Sequence, residues 1–173
     1  MKIGITADTH IPGKAKAIPE IVLDAFKNVD HIIHGGDIGG REVLDKLGEL
    51  APVTAVAGNT DDPELCRRLG ERRILELGGI RFGLFHGHGN RGTTLKRTLE
   101  RFADERLDCI IFGHSHIPFC QVRNGVLLFN PGSPTDKRRN PFYSFGIIET
   151  EPELSAQIIY FDKEGILKER VVF

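Results

Sequence analysis

The stretch "HIIHGGDIGGREVLDKLGEL", His31 to Leu50, holds the pattern from which the fold can be read. A short apolar run stops at two glycines and delivers Asp37. It is followed by helical spacing that places Val43, Leu44 and Leu47 on one face. A buried strand followed by an amphipathic helix is the repeating unit of an α/β fold. The same unit stands on either side. "KIGITA" (Lys2–Ala7) reads as a strand, and "IPEIVLDAFKNV" (Ile18–Val29) as a helix with Ile21, Val22, Ala25 and Phe26 inward. "PVTAVAG" reads as the third strand and "DPELCRRLG" as a short helix, with Pro63 in its first turn and Asp61 or Asp62 as its cap. The order βαβαβα implies a parallel sheet with right-handed crossovers.

Beyond this the pattern changes. "RRILELGGIRFGLFHG" reads as a hairpin turning at Gly78–Gly79. "TTLKRTLERFADE" reads as a helix with Leu95, Leu99 and Phe102 in one stripe. From "DCIIFG" onward the chain is strand after strand, with Asn124–Gly125 a hairpin turn and "LKERVVF" the last strand. A mostly parallel half is expected to meet an antiparallel half in one domain spanning residues 1–173.

Composition suits that expectation. The 173 residues are 40% hydrophobic and 27% charged, as in soluble globular proteins. The net charge of −1 lacks the basic excess of a general nucleic-acid surface. "DKRRN" (Asp136–Asn140), the best local basic patch, reads as a solvated loop. Cys66, Cys109 and Cys120 have no metal-type spacing and fit a reducing cytosol. "MKIGITADTH" is no secretory leader, and no apolar run is long enough for a membrane span, so a cytoplasmic location is expected.

The informative regularity is where the apolar runs stop. They end in Asp8-Thr9-His10, in Asp37, in Asn59, in His86-Gly87-His88 and in His114-Ser115-His116. Any one of these could be a polar turn. Five strands that end so, converging on one sheet edge where open α/β proteins bind ligands, favour a site. Imidazole with carboxylate suits Mn, Fe, Co, Ni or Zn. Seven or eight donors are too many for one tetrahedral ion and suit a pair about 3.5–4 Å apart, an arrangement fitted to displacement at phosphorus.

Taken in order, D-x-H at Asp8–His10, G-D at Gly36–Asp37, G-N at Gly58–Asn59, H-G-H at His86–His88 and G-H-x-H at Gly113–His116 closely resemble the motifs of the calcineurin-like metallophosphoesterases. The later "NPGS" (Asn130–Ser133) resembles the small single-domain phosphodiesterase branch of bacteria and archaea. The resemblance implies an α/β fold of the four-layer αββα sandwich type, two mixed sheets flanked by helices. It implies two divalent transition-metal ions, manganese first, with nickel, iron, cobalt and zinc as alternatives. Asp8, His10 and His116 would hold one ion, Asn59, His86 and His114 the other, and Asp37 would bridge them. His88 is not a usual ligand; it would lie near the substrate, or support a ligand from behind, or serve only in the turn.

The expected reaction is hydrolysis of a small phosphodiester, a nucleotide among the candidates, by a hydroxide held between the ions. Asp37, Asn59 and His88 are the expected catalytic residues, and Asn59, Thr60 and His88 the expected substrate-facing ones. Many relatives carry G-N-H-[ED], whose His is thought to protonate the leaving group; Thr60 stands there instead. His88, a metal-held water, or no acid at all could fill that step. The alternative is a catalytically weak scaffold, for which the retromer subunit of this fold is the precedent. His31 and His34 flank a strand, and one is expected exposed and the other hydrogen-bonded in the core. Arg41 is expected exposed, Thr93 or Thr94 is expected to cap a helix, and the strand-rich C-terminus could leave an edge for a homo-oligomer.

Overall fold

A computed structural model describes residues 1–172; Phe173, the end of the last expected strand, lies outside the described residues. The chain opens with three strand–helix units: β1 (Lys2–Thr6), α1 (Glu20–Phe26), β2 (His31–His34), α2 (Arg41–Gly48), β3 (Val53–Ala55) and α3 (Pro63–Leu69). The hairpin β4 (Arg72–Leu77) and β5 (Ile80–Phe85) follows, then α4 (Thr94–Arg101) and β6 (Cys109–Ile111). A second hairpin, β7 (Phe119–Arg123) and β8 (Val126–Asn130), leads into β9 (Tyr143–Glu149), β10 (Ser155–Phe161) and β11 (Leu167–Val172). Both hairpins turn where their sequences direct. Gly78, Gly79, Asn124 and Gly125 all take positive φ, as a tight turn of the right twist requires.

Two mixed sheets result, one ordered β11-β10-β9-β1-β2-β3 and the other β4-β5-β6-β8-β7. This corrects the expectation of a parallel half followed by an antiparallel half. The chain leaves the first sheet after β3 and builds the second from β4 to β8. It then returns, pairing β9 antiparallel with β1. The five polar strand endings therefore belong to two sheets, not to one edge. The cause lies in β5, which pairs with β4 and β6 and leaves β3 as the border of its own sheet.

Alternation along the strands builds the layers, because neighbouring residues on a strand face opposite ways. Ile32 and Ile147 look toward α1 and α2, while Ile33 and Ile148 look into the space between the sheets. Ile111 and Phe129 meet them from the second sheet, and Ile110 and Leu128 face outward with Phe102 at the end of α4. The order is helices, sheet, sheet, helix. Close approach of α1 depends on Gly4, where a Cβ would stand 2.7 Å from the Phe26 ring.

One helix detail departs from the sequence reading. Leu99 is 36% exposed and Thr98 takes the inward position, its hydroxyl donating to the Thr94 carbonyl at 2.9 Å. The α3 cap is Asp62, which accepts from the N–H groups of Glu64 and Leu65, and Asp61 is used elsewhere. Thr93 caps α4, and Arg41 sits exposed against Asp45. Asp136–Asn140 forms a loop as expected. Among the described residues, no helix is long and apolar enough to cross a membrane.

Candidate metal centre

Six strand-end side chains gather where the two sheets meet. Asp8, His10 and His116 offer one set of donor atoms, and Asp37, His86 and His114 another, each set within 4.8 Å. The sets adjoin through Asp37, whose Oδ2 lies 3.6 Å from His10 Nε2 and 3.2 Å from His86 Nε2. Asp8 Oδ1 is likewise shared, 3.3 Å from His116 Nε2 and 3.8 Å from His86 Nε2.

The backbone is strained to achieve this. Asp8, His10, Asp37, His114 and His116 all have φ between 44° and 67°. Non-glycine residues avoid this left-handed region, and where it is held the surroundings impose it, most often at functional sites. Ordinary turns do not require five such residues to converge.

The imidazoles are wired for a cation. His116 Nδ1 donates to the Asp136 carbonyl, and His86 Nδ1 donates to the Gly35 carbonyl at 2.8 Å. Each bond holds the proton on Nδ1 and turns Nε2 inward as a free donor atom, the arrangement of metal-binding histidines. His10 Nε2 and His116 Nε2 lie only 3.3 Å apart. His86 Nε2 is buried without a hydrogen-bond partner. Two nitrogens bound at about 2.1 Å to one tetrahedral ion stand about 3.4 Å from each other. The donor set therefore fits divalent metal.

Electrostatics point the same way. Burial works against charge on Asp37, yet His86 and the Thr60 N–H outweigh it and hold the carboxyl well below the usual carboxylate range. Burial likewise opposes a charged His86, but Asp37 and Asp8 raise its pKa overall. Burial pulls His10 down, and burial with His86 pulls His114 down to about 4. An anionic Asp37 beside neutral His10 and His114 is a ligand set in its binding form.

The remaining expected residues lie around this centre. Asn59 is exposed, between two residues that touch Asp37. A Cβ at Gly58 would run into the Asp37 carboxylate, and the Thr60 N–H donates to Asp37 Oδ1 at 2.9 Å. Thr60 Oγ1 is 3.3 Å from His10 Nδ1, so its hydroxyl meets a donor residue of the first set. His88 packs against Phe85 and His86, with Nε2 3.8 Å from Glu71 and Nδ1 buried without a partner. Burial and His86 lower its pKa.

Of the flanking histidines, His34 is the buried one, but His31 is half-buried instead of exposed. Its Nε2 meets Thr54 Oγ1 at 2.8 Å, because the neighbouring strand offers a hydroxyl. His34 accepts from the Gly36 N–H at Nδ1 and meets Thr9 Oγ1 at Nε2. The Thr9 hydroxyl already donates to the Ile38 carbonyl, so the Nε2 proton is supplied by a neutral His34.

Several supporting residues escape a sequence reading. Asp61 accepts from the N–H groups of Ile38, Gly39 and Gly58 at 2.7–2.9 Å, stitching two loops together. Asn130 donates to the Gly113 carbonyl, Ser133 to the Asp8 carbonyl and Thr135 to the Thr9 carbonyl. The available signals were that "VLLFN" also ends a strand in a polar residue and that "NPGS" (Asn130–Ser133) stands out as a motif.

Residues 1–153 match the family described as "Calcineurin-like phosphoesterase superfamily domain". A probable metallophosphoesterase of Methanocaldococcus jannaschii is 42% identical over 162 residues, 92% of this chain and 81% of that protein. A phosphodiesterase of the same organism is 31% identical over 92% of this chain and 99% of its own length. Wild-type Vps29 from Entamoeba histolytica, solved with zinc, superposes with a TM-score of 0.80 at 28% identity, covering 99% of both chains.

Proposed function

The chain belongs to the calcineurin-like phosphoesterase superfamily, and from that membership we propose that it is a metal-dependent phosphodiesterase acting at a dinuclear site. The observation that carries this reading is the pair of adjoining donor sets, with Asp37 Oδ2 within reach of both. Asp8, His10 and His116 would hold one divalent ion, and His86, His114 and the Asn59 amide the other, with Asp37 within reach of both sets. Bound there, the ions would supply Lewis acidity toward a water and toward the phosphoryl group.

The chain's own groups do the rest. The Gly35 and Asp136 carbonyls keep His86 and His116 in the tautomer that points Nε2 inward. The His114 N–H donates to both Asp8 oxygens, at 2.9 and 3.2 Å, and fixes that carboxylate. Asn59, neutral and exposed, would hydrogen-bond a phosphoryl oxygen. Thr60 cannot protonate a leaving group near neutral pH, and the lowered pKa of His88 makes it a scarce acid there. The enzyme accordingly favours diesters with good leaving groups over ordinary monoesters, in keeping with the relative named a phosphodiesterase.

The test is turnover of bis(p-nitrophenyl) phosphate and p-nitrophenyl phosphate by chelated protein reloaded with each of Mn, Ni, Fe, Co and Zn. Diester turnover should exceed monoester turnover, and Asp37→Ala should lose metal and activity together. An active, metal-loaded Asp37→Ala protein would sink the dinuclear reading. The second reading, a protein-interaction module, has its support in the likeness to Vps29. Inactivity with every metal would favour it.

A further inference from the structure

Beside the metal centre, between α4 and the segment following β6, runs a groove of about 430 Å³. That volume is in the range of small-molecule sites. Its inner end is lined by residues that flank the donors of the centre. Ser115 lies there between His114 and His116. Thr94 lies there too, packed so tightly on the loop of His86 and His88 that a Cβ at Gly87 would stand 2.6 Å from its methyl group.

Away from the centre the walls turn apolar, with Leu95, Phe112 and Phe119 forming the lining and the two rings 6.0 Å apart. Ile117, one residue past His116, is 57% exposed on the rim. Arg97 is the one charged residue among the described lining. Its guanidinium is occupied by the carbonyls of Gly87 and Gly92, so it lends positive charge and rigidity instead of a free donor.

An apolar groove with a positive, rigid flank opening on a phosphate-processing centre suits an anionic ester with one flat hydrophobic arm. We propose that this groove is the subsite for one arm of the phosphodiester and selects an aromatic group, aryl or nucleobase-bearing, over a short alkyl one. This rests on the phosphodiesterase reading for the position of the phosphate. The groove supplies what the metal donors cannot, discrimination by the ester group.

Equilibrium binding separates the two claims, because it needs no turnover. Diphenyl phosphate and dimethyl phosphate are titrated into zinc-loaded protein and followed by ligand-observed NMR. Burial of one ring against these walls should make the diphenyl ester at least about tenfold tighter. Ile117→Asn, on an exposed rim position that tolerates a polar residue, should narrow that ratio by about fivefold, with far-UV circular dichroism unchanged. Equal affinities in the unsubstituted protein, no measurable affinity for either ester, or a preference untouched by Ile117→Asn would each overturn the proposal. An aromatic preference that Ile117→Asn narrows, in a protein inactive on every diester, would uphold the groove and reject the hydrolytic reading.

Discussion

Thr60 shows how one side chain can change its work while keeping its place. Its N–H binds Asp37 and its hydroxyl reaches His10 Nδ1, so it contacts two donor residues at once. Groups that orient a metal-binding histidine typically contribute about 10–100-fold in affinity. Thr60→Val keeps the shape and removes the hydroxyl; a metal titration should show about tenfold weaker binding at one site. Thr60→Ser should restore it, and equal affinity in the Val variant would dismiss the contact. His34 offers a second test at this scale. Burial drives its pKa down from 6.5 to about 3, so the unfolded chain takes up the proton first as pH falls. Stability is therefore intact above pH 6.5 and is lost toward pH 3, with a slope of up to ~1.4 kcal/mol per pH unit from this residue. Asp8, His86, Asp37 and His10 also act on it, so the measurement is a difference. Urea unfolding of metal-free His34→Gln should show a flatter dependence over that interval than the unsubstituted protein.

Single strand-end loops would not hold their strained conformations unaided. Asp61 joins the loop after β2 to the loop after β3 through three backbone donors, and so fixes Asp37 and Asn59 relative to each other. Removing a buried carboxylate that satisfies several N–H groups leaves them all unpaired. Asp61→Ala should destabilise the fold by about 3 kcal/mol, read as a lower urea midpoint with unchanged slope. Metal affinity should fall with it, since Asp37 neighbours two of the released donors; full affinity in this variant would confine Asp61 to folding. The helix cap, by contrast, belongs to Asp62, and sequence spacing could not separate the two acids because both stand within reach of α3.

At the scale of the whole molecule the centre joins two sheets that otherwise meet through an apolar core. Metal at a hundred times its dissociation constant should add about 2.7 kcal/mol per ion, a Tm rise of several degrees for a chain of this length. Chelation should reverse the shift and Asp37→Ala should abolish it, both visible by calorimetry. The shift should also fade as pH falls through the raised pKa of His86, because a proton on that imidazole competes with metal; a pH-independent shift would place the ion elsewhere.

What the sequence by itself determined was the local grammar. It set out the strand–helix alternation, both hairpin turns, and the seven strand-end positions whose ordered motifs resemble one family. Hydrophobic period and turn chemistry are local properties, so they survive in a linear reading. Only the tertiary structure decided that those endings come from two sheets, that His34 is neutral and buried, and that Asp61, Asn130, Ser133 and Thr135 brace the site. Those facts depend on pairing across long sequence separations, such as the 125 positions that separate Ser133 from Asp8. No local pattern records which backbone group a distant side chain will meet.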